Sequence, residues 1–156
     1  MPGFAVAIED PRAPDVKALL EVHLEFANDH SPPEDVHALD VAGLLAKDVS
    51  FFGIREEGAL LAVGALKHLD PSHAELKSIH TAGFARGRGV GRTLVDYLVG
   101  VARDRGYSRV SLETGSMPAF APSRALYESA GFEICEPFAG YWPSPHSVCM
   151  TLYLNT

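Results

Sequence analysis

The sequence has little of what marks secreted, membrane-spanning or metal-binding proteins. It contains 2 cysteines among 156 residues, too few for a disulfide scaffold, and Cys135 and Cys149 lack the spacing of metal ligands. No stretch approaches the roughly 20 consecutive apolar residues that a membrane-spanning helix needs. The opening residues, MPGFAVAIEDPR, have no basic start followed by an apolar run and do not predict a signal peptide. We expect a cytoplasmic protein with two reduced, mostly buried thiols.

The sequence also lacks the positive charge of proteins that bind nucleic acids or anionic membranes. Its formal net charge is −7, which argues against either partner. The basic residues are unevenly spread, however, and Arg86, Arg88 and Arg92 lie close together in an acidic chain. This local patch indicates a small polyanionic ligand. None of the 7 histidines has a recognised ligand spacing with carboxylates or cysteines, so we expect no metal.

The order of hydrophobic patterns predicts one α/β domain that covers residues 1–156. No internal repeat or low-complexity segment divides the chain, and closely spaced strand patterns in its first half imply a mixed sheet. A short helix is expected after Ser31-Pro32-Pro33. The remaining predicted elements are strands at 4–9, 50–55, 59–69, 74–82, 108–113, 132–136 and 147–154, and helices at 14–28, 89–105 and 121–130.

The helix at 89–105 has the clearest amphipathic pattern. Its charged side chains lie largely off one apolar stripe, and Gly106 suits its carboxyl-terminal cap. We expect the stripe to be buried, and it consists of Val90, Leu94, Tyr97, Leu98 and Val101.

Three alternating glycines precede and open this helix. Gly87, Gly89 and Gly91 allow positive φ and a close approach of the backbone, so successive N–H groups can converge on an anion at a helix amino terminus. The neighbouring arginines add donors that suit phosphate oxygens. A dinucleotide-binding fingerprint would need a further glycine where Arg92 stands, and no Gly-Lys-Ser/Thr tripeptide marks a P-loop. The segment predicts a diphosphate site; the alternative is a glycine-rich turn with exposed arginines.

Two motifs resemble the GNAT superfamily of N-acetyltransferases. The acetyl-CoA-binding core of that superfamily is similar to residues 75–81 (ELKSIHT) followed by Arg86-x-x-Gly89-x-Gly91. Its later helix-and-turn motif is similar to residues 125–132 (ALYESAGF). The resemblance covers roughly residues 50–155, and the segments 30–40, 112–115 and 145–148 resemble a bacterial branch of the superfamily.

The resemblance implies a splayed, mixed central sheet of six or seven strands flanked by about four helices, with pantetheine between the fourth and fifth strands. The backbone of Ile79, His80 and Thr81 would hold the pantetheine and the acetyl carbonyl. Many relatives have an asparagine where this chain has Phe120, so that contact is in doubt. The backbone of the glycine-rich segment would hold the diphosphate of acetyl-CoA, through Arg86, Gly87, Arg88, Gly89, Val90, Gly91 and Arg92.

Acetyl transfer to an amine needs a base, a polarised carbonyl and a proton for the leaving thiolate. Tyr127 matches the tyrosine that commonly protonates the thiolate in the superfamily; the alternative is a core aromatic side chain. Glu113, at the end of a strand near the splay, is the first candidate for the base and for substrate contact. Glu75 is the alternative base, and for either glutamate the other interpretation is a structural or solvated charge.

The acceptor side is expected between the first two helices. The acidic and imidazole groups of this segment suit a cationic acceptor, and they belong to His30, Glu34 and His37. The alternative for Glu34 is a cap of the second helix. Strand alternation adds His80 on one face with Leu76 and Ser78, opposite the face formed by Lys77, Ile79 and Thr81. The late loop with Tyr141, Trp142 and His146 either closes over the acceptor or covers the sheet edge.

Three functions follow from these features. The first is transfer of an acetyl group from acetyl-CoA to a small amine, such as an amino acid or a polyamine-like molecule. The second is acetylation of a protein amine, either a chain terminus or a lysine. The third is a regulatory module that binds acyl-CoA without turnover, which the candidates Tyr127, Glu75 and Glu113 argue against. Exposed late strands often pair into dimers in the superfamily, so the resemblance also implies a homodimer.

Overall fold

Seven strands form one mixed sheet in the order β1-β2-β3-β4-β5-β7-β6. The computed structural model describes residues 4–36 and 39–154. Every neighbouring pair of strands is antiparallel except β4 and β5, which are parallel. The predicted mixed sheet is therefore confirmed. The strands are β1 (Phe4–Ile8), β2 (Val49–Glu56), β3 (Ala59–Asp70), β4 (His73–Thr81), β5 (Arg109–Gly115), β6 (Glu133–Cys135) and β7 (Ser147–Tyr153).

Four α-helices cover the two faces of the sheet. They are α1 (Pro14–His30), α2 (Val41–Leu44), α3 (Val90–Asp104) and α4 (Ala121–Ser129). Side chains of α1 and α2 pack on one face, where Val16 and Leu44 meet Val63 of β3. The larger cluster on the other face is built around Leu94 and Leu98 of α3. Directly after the two prolines the chain forms only a 3₁₀ turn, Pro33–Asp35, and α2 begins later.

The buried stripe of α3 differs from the predicted one at Tyr97. Tyr97 is 42% exposed, and the edge of its ring packs against Phe52 with the ring centroids 5.7 Å apart. Position 97 lies at the border of the buried face, and a phenol ring can cover apolar surface there while its hydroxyl stays in water. The stripe is centred instead on Val90, Leu94, Val95, Leu98, Val99 and Ala102.

The sheet splays where its two parallel strands meet. Pairing between β4 and β5 is limited to His73–Glu75 of β4 with Arg109–Ser111 of β5. Beyond these residues β4 still pairs with β3, and β5 still pairs with β7. The facing edges of β4 and β5 therefore carry backbone donors and acceptors that the sheet does not use.

A bulge in β4 overturns the predicted alternation of its side chains. Ser78 has a φ of 56°, and two residues of β4, Ser78 and Ile79, lie opposite the single residue Gly64 of β3. The extra residue switches the faces that follow it. Ile79 thus packs with the α3 core, as Leu76 does, whereas His80 faces α1. The prediction that placed His80 on the same face as Leu76 is wrong.

Candidate active site

A cavity of about 400 Å³ opens in the gap between β4 and β5. Residues 75–81 of β4 and 112–115 of β5 form its two walls. The end of α1, the glycine-rich segment and the start of α4 complete it. The splay thus creates a cleft that reaches the amino terminus of α3 at one end and the turn that follows α1 at the other.

The glycine-rich segment has the conformation that an anion site needs. Gly87 and Gly89 have φ values of 78° and 77°, and Gly89 immediately precedes the first residue of α3. No heavy atom lies within 4 Å of a Cβ built on either glycine among the described residues, so the space beside them is open. The first N–H groups of α3 have no partner within the helix and carry partial positive charge. Backbone donors and open space therefore suit a diphosphate.

The three arginines of this segment do not act together. Arg86 and Arg92 line the cavity, whereas Arg88 turns away from it. Both Arg88 contacts with the Glu56 carboxylate measure 2.9 Å, and its guanidinium lies 5.1 Å from the centroid of the Phe4 ring. The expectation that Arg88 adds side-chain donors for phosphate is not met, because its guanidinium is already hydrogen-bonded to the Glu56 carboxylate through Nη2. Arg92 is held by Asp96 at 2.9 Å.

The free edges of β4 and β5 suit the pantetheine arm. An extended amide chain can pair with the unused backbone groups of a strand edge. Ile79, His80 and Thr81 lie along this edge and line the cavity, as predicted, after the bulge at Ser78. The Ser78 hydroxyl is buried without a hydrogen-bond partner in the described part of the chain. The wall therefore still has polar groups for a ligand to satisfy.

Tyr127 projects from α4 into the buried end of the cavity. Its ring packs against Phe132 with the centroids 6.0 Å apart. Burial, and then the nearby Glu113 charge, raise the pKa of Tyr127 well above its ordinary value. The phenol is therefore protonated at neutral pH. Its position and its protonation state suit a proton donor, and packing against Phe132 fixes the ring.

Glu113 lines the cavity from β5 and is poised to exchange a proton near neutrality. Burial raises its pKa to about 7, and the charges of Glu75 and Asp35 add to the rise. The Ser147 hydroxyl donates a hydrogen bond of 2.6 Å to Oε2, and that bond and the Lys77 charge oppose the rise. A carboxylate with a pKa near the working pH is well matched to a general base.

Glu75 is committed to a buried network on the other wall. The Tyr141 hydroxyl donates to Oε2 of Glu75 at 2.5 Å, and the Lys77 ammonium lies 3.3 Å from the same oxygen. Lys77 also donates to the Tyr141 hydroxyl at 2.7 Å. The late loop therefore touches β4 directly, and Glu75 joins the loop to the strand.

A pair of histidines, one from α1 and one from β4, is in contact beside the cavity. The two Nδ1 atoms of His23 and His80 are 3.1 Å apart, so one ring donates and the other accepts. Burial lowers the pKa of both rings to about 4, helped by the His80 charge at His23 and by the Arg86 charge at His80. Both imidazoles are neutral at physiological pH. The sequence interpretation missed His23 because it continues the apolar stripe of its helix.

The acceptor end differs from the predicted set of residues. Asp35 lines the cavity and is 6% exposed, whereas its neighbour Glu34 is exposed and outside the cavity wall. Successive side chains of a 3₁₀ turn point about 120° apart, so only one of these acidic residues can face inward. His30 is exposed beside the Phe26 ring, with the centroids 4.5 Å apart, and does not line the cavity. The predicted residue His37 lies outside the described residues.

Phe120 contributes an aromatic wall where an asparagine was expected from the resemblance. Its ring packs edge-on against Phe26, with the centroids 5.3 Å apart. It also packs closely on Gly115, where an added Cβ would collide with the Phe120 ring. The acceptor end is therefore apolar on one side and acidic on the other.

Residues 4–36 and 39–154 contain neither a metal-binding cluster nor a membrane-spanning helix. No cluster of three or more histidine, cysteine or acidic side chains there is arranged to hold a metal ion. In the same ranges, no helix combines the length and the apolar character needed to cross a membrane.

A mixed sheet that splays between β4 and β5, with a glycine-rich helix entrance beside the gap, is typical of acyl-CoA-dependent acyltransferases. The family model "Acetyltransferase (GNAT) family" matches residues 16–132. The chain is 42% identical to the uncharacterised N-acetyltransferase YsnE of Bacillus subtilis, over 94% of this chain and 97% of the relative. It is 33% identical to the IAA acetyltransferase of Azospirillum brasilense, over 96% and 97% of the two chains.

A solved structure agrees with these relatives. A Klebsiella pneumoniae protein described as an acyl-CoA N-acyltransferase superposes with a TM-score of 0.82 at 26% identity, over 97% of this chain and 98% of that chain. The chain belongs to the acetyltransferase (GNAT) family. This membership confirms the predicted fold and the prediction of an N-acetyltransferase with acetyl-CoA as co-substrate.

Proposed function

We propose that the protein transfers an acetyl group from acetyl-CoA to a primary amine of a small molecule. The observation that carries this proposal is that Glu113 of β5 and Tyr127 of α4 line one cavity. One has a pKa of about 7, and the other is held protonated. A base and an acid with separated pKa values are what amine acetylation requires. A module that only binds acyl-CoA would need neither.

Each step of the reaction is assigned to particular residues that line the cavity. Acetyl-CoA supplies the acetyl group as a thioester; the glycine-rich segment would hold its diphosphate and the edge of β4 its pantetheine. Glu113 accepts the proton that the amine loses as the N–C bond forms, directly or through water. Backbone N–H groups beside the Ser78 bulge stabilise the negative charge on the carbonyl oxygen. Tyr127 donates its proton to sulfur as the C–S bond breaks.

Glu113 is a better base than Glu75 in this arrangement. Glu75 accepts hydrogen bonds from Lys77 and Tyr141 on the same oxygen, so that oxygen is already engaged by two donors. Glu113 faces the cavity with one hydroxyl donor, from Ser147, among the described residues. We therefore assign the proton transfer to Glu113 and a structural role to Glu75.

The late loop supports a small acceptor. Tyr141 bonds to Glu75 on β4, and Ser144 donates to Asp35 at 3.0 Å. These two bonds connect the chain between β6 and β7 to two residues that line the cavity, Glu75 and Asp35. A protein lysine or chain terminus would need an open groove at this end.

Cofactor binding is the first test. Calorimetry with acetyl-CoA is expected to show micromolar binding to the parent and none to the double variant Gly89→Glu and Gly91→Glu. The control is Gly100→Glu, because Gly100 lies in the same helix and open space surrounds its Cβ among the described residues. Loss of binding in the control, or retention in the double variant, would contradict the diphosphate site.

Amine turnover is the second test. CoA release is then measured with a panel of small primary amines and, separately, with peptides that carry a free terminus or lysine. Release with small amines supports the proposal. Release with peptides alone would contradict it.

The cytoplasmic location, the homodimer and the single domain stay predictions. A cytoplasmic site would give the protein access to acetyl-CoA, and a single domain over residues 1–156 agrees with the family match. β6 is an edge strand, and its Ile134 is 74% exposed. An exposed apolar edge supports the predicted homodimer.

A further inference from the structure

The acceptor end of the cavity carries more negative than positive charge. The cavity is lined by three acidic side chains and one lysine, which are Asp35, Glu75, Glu113 and Lys77. Lys77 forms an ion pair with Glu75. In the described part of the chain, neither Asp35 nor Glu113 has a cationic side chain within ion-pair distance. Two carboxylates are thus left without an ion-pair partner among residues 4–36 and 39–154.

The late part of the chain fixes these carboxylates with neutral donors. Ser144 donates to Oδ2 of Asp35 at 3.0 Å, and Ser147 donates to Oε2 of Glu113 at 2.6 Å. A hydroxyl orients a carboxylate but leaves its charge uncompensated. In each case the hydrogen bond occupies one oxygen and leaves the other for a ligand.

A buried oxygen of Asp35 is the independent sign of a ligand. Two buried side-chain polar atoms in residues 4–36 and 39–154 have no hydrogen-bond partner, Oδ1 of Asp35 and Oγ of Ser78. Both residues line this one cavity. Leaving a buried carboxylate oxygen unpaired is unfavourable. A cationic donor bound in the cavity would remove that penalty.

We propose that the acceptor is a diamine, or an equivalent amine with a second cationic group, and that Asp35 binds the second cation. This inference rests on the proposed function. The reacting nitrogen must be neutral when it attacks and it ends as an amide nitrogen, so it cannot compensate the charge of Asp35. A second ammonium keeps its charge throughout. The rings of Phe26 and Phe120 line the cavity and offer apolar contact to the carbon chain between the two nitrogens.

A substrate series that varies only the charge of the second group tests this. Putrescine, n-butylamine and γ-aminobutyrate share a chain of similar length and end in a cation, a methyl group and an anion. Longer and shorter diamines, each with its matched monoamine, extend the series. We expect kcat/KM for the best diamine to exceed that of its monoamine by about tenfold or more, because a buried charge-assisted hydrogen bond is at stake. γ-Aminobutyrate should be the poorest acceptor.

Asp35→Asn and Glu34→Gln are the matched variants. Both remove one negative charge from the same turn, but only Asp35 lines the cavity. Asp35→Asn should bring the diamine-to-monoamine ratio close to one, while Glu34→Gln keeps the ratio of the parent. Calorimetry with acetyl-CoA reports whether each variant is folded, and if Asp35→Asn is not, Asp35→Ser replaces it.

The outcomes separate the two proposals. Equal kcat/KM for diamines and monoamines in the parent would overturn the inference, and so would a diamine preference that survives Asp35→Asn. In both cases amine acetylation itself would stand. If the parent binds acetyl-CoA but releases no CoA with any amine, the proposed function fails, and this inference fails with it.

Discussion

At the residue scale, Glu113 differs from an ordinary glutamate because burial outweighs its favourable contacts. Loss of solvent is the largest effect on its pKa, and it exceeds the opposing effects of the Ser147 hydrogen bond and the Lys77 charge. The group is therefore half ionised near pH 7 rather than fully ionised. A residue in this state can both take up and release a proton during each turnover.

The first prediction concerns the pH dependence of the reaction. Because the ionised form of Glu113 is the base, kcat/KM for the amine should rise as pH increases through about 7. Glu113→Gln should lower kcat by about 100-fold and remove this limb. Ser147→Ala removes a bond that lowers the pKa, so its limb should move to higher pH. Stopped-time assays of CoA release across pH measure both, and an unmoved limb in Ser147→Ala would contradict the assignment.

The second prediction concerns Tyr127. Tyr127→Phe removes the hydroxyl but keeps the ring that packs on Phe132, so folding and acetyl-CoA binding should be retained. We expect kcat to fall by about 100-fold, since a general acid is lost. Phe132→Leu is the control, because it disturbs the packing of the ring without removing the proton. A Tyr127→Phe enzyme with the kcat of the parent would assign Tyr127 to the core alone.

At the element scale, β4 is tied to the late loop by Tyr141, which bonds to both members of a buried ion pair on β4. The Lys77 and Glu75 side chains are 9% and 3% exposed and approach to 3.3 Å. Tyr141 bridges the two, with bonds to both groups. Removing one partner of such a pair leaves a buried charge, which is far more harmful than removing both.

The third prediction follows from this pair. Lys77→Met should lower the free energy of unfolding by about 3 kcal/mol, because Glu75 loses its cation in a site with little access to water. The double variant Lys77→Met and Glu75→Gln should recover most of that loss. Urea unfolding followed by circular dichroism measures both. If the double variant is no more stable than the single one, the Lys77 chain contributes through packing rather than charge.

Elements governed by local rules were predictable from the sequence. The period of α3 and the glycines before it depend on neighbouring residues only, and both were predicted within a few positions. Tyr97 was placed wrongly because a stripe identifies a face but not its border. The bulge at Ser78 breaks the period of two that the strand prediction assumed. Nothing in residues 74–82 marks that extra residue, so the orientation of His80 was missed.

Site residues that depend on distant contacts were not predictable in the same way. The segment that carries Asp35 was identified, but Glu34 was chosen because the phase of a single 3₁₀ turn cannot be read from its residues. His23 acquires its partner from β4, far along the chain. The serine and tyrosine hydroxyls of the late chain reach carboxylates on three other segments, Asp35, Glu75 and Glu113. By contrast, Tyr127, which the resemblance implied, and Glu113, which was chosen from its place at a strand end, both line the cavity.

At the scale of the whole molecule, the splay divides the sheet into two parts. Strands β1–β4 form one part and β5–β7 the other, and within the described residues the strand pairing between them is confined to three pairs, from His73 to Glu75 of β4. α3 packs against the first part and α4 lies beside the second. A ligand in the cavity touches both parts, because residues of β4 and β5 face each other across it.

The fourth prediction is that acetyl-CoA stabilises the two parts together. At a ligand concentration about 100 times the Kd, mass action adds roughly 2.7 kcal/mol to the free energy of unfolding. For a chain of this size, that corresponds to a rise in Tm of about 5–10 °C. Thermal unfolding with and without acetyl-CoA measures the shift, and the double variant Gly89→Glu and Gly91→Glu should show none. Hydrogen exchange should slow at 79–81 and at 112–115 together, since both walls are held by the ligand. Protection of 79–81 alone would show that the ligand binds one wall and leaves the splay open.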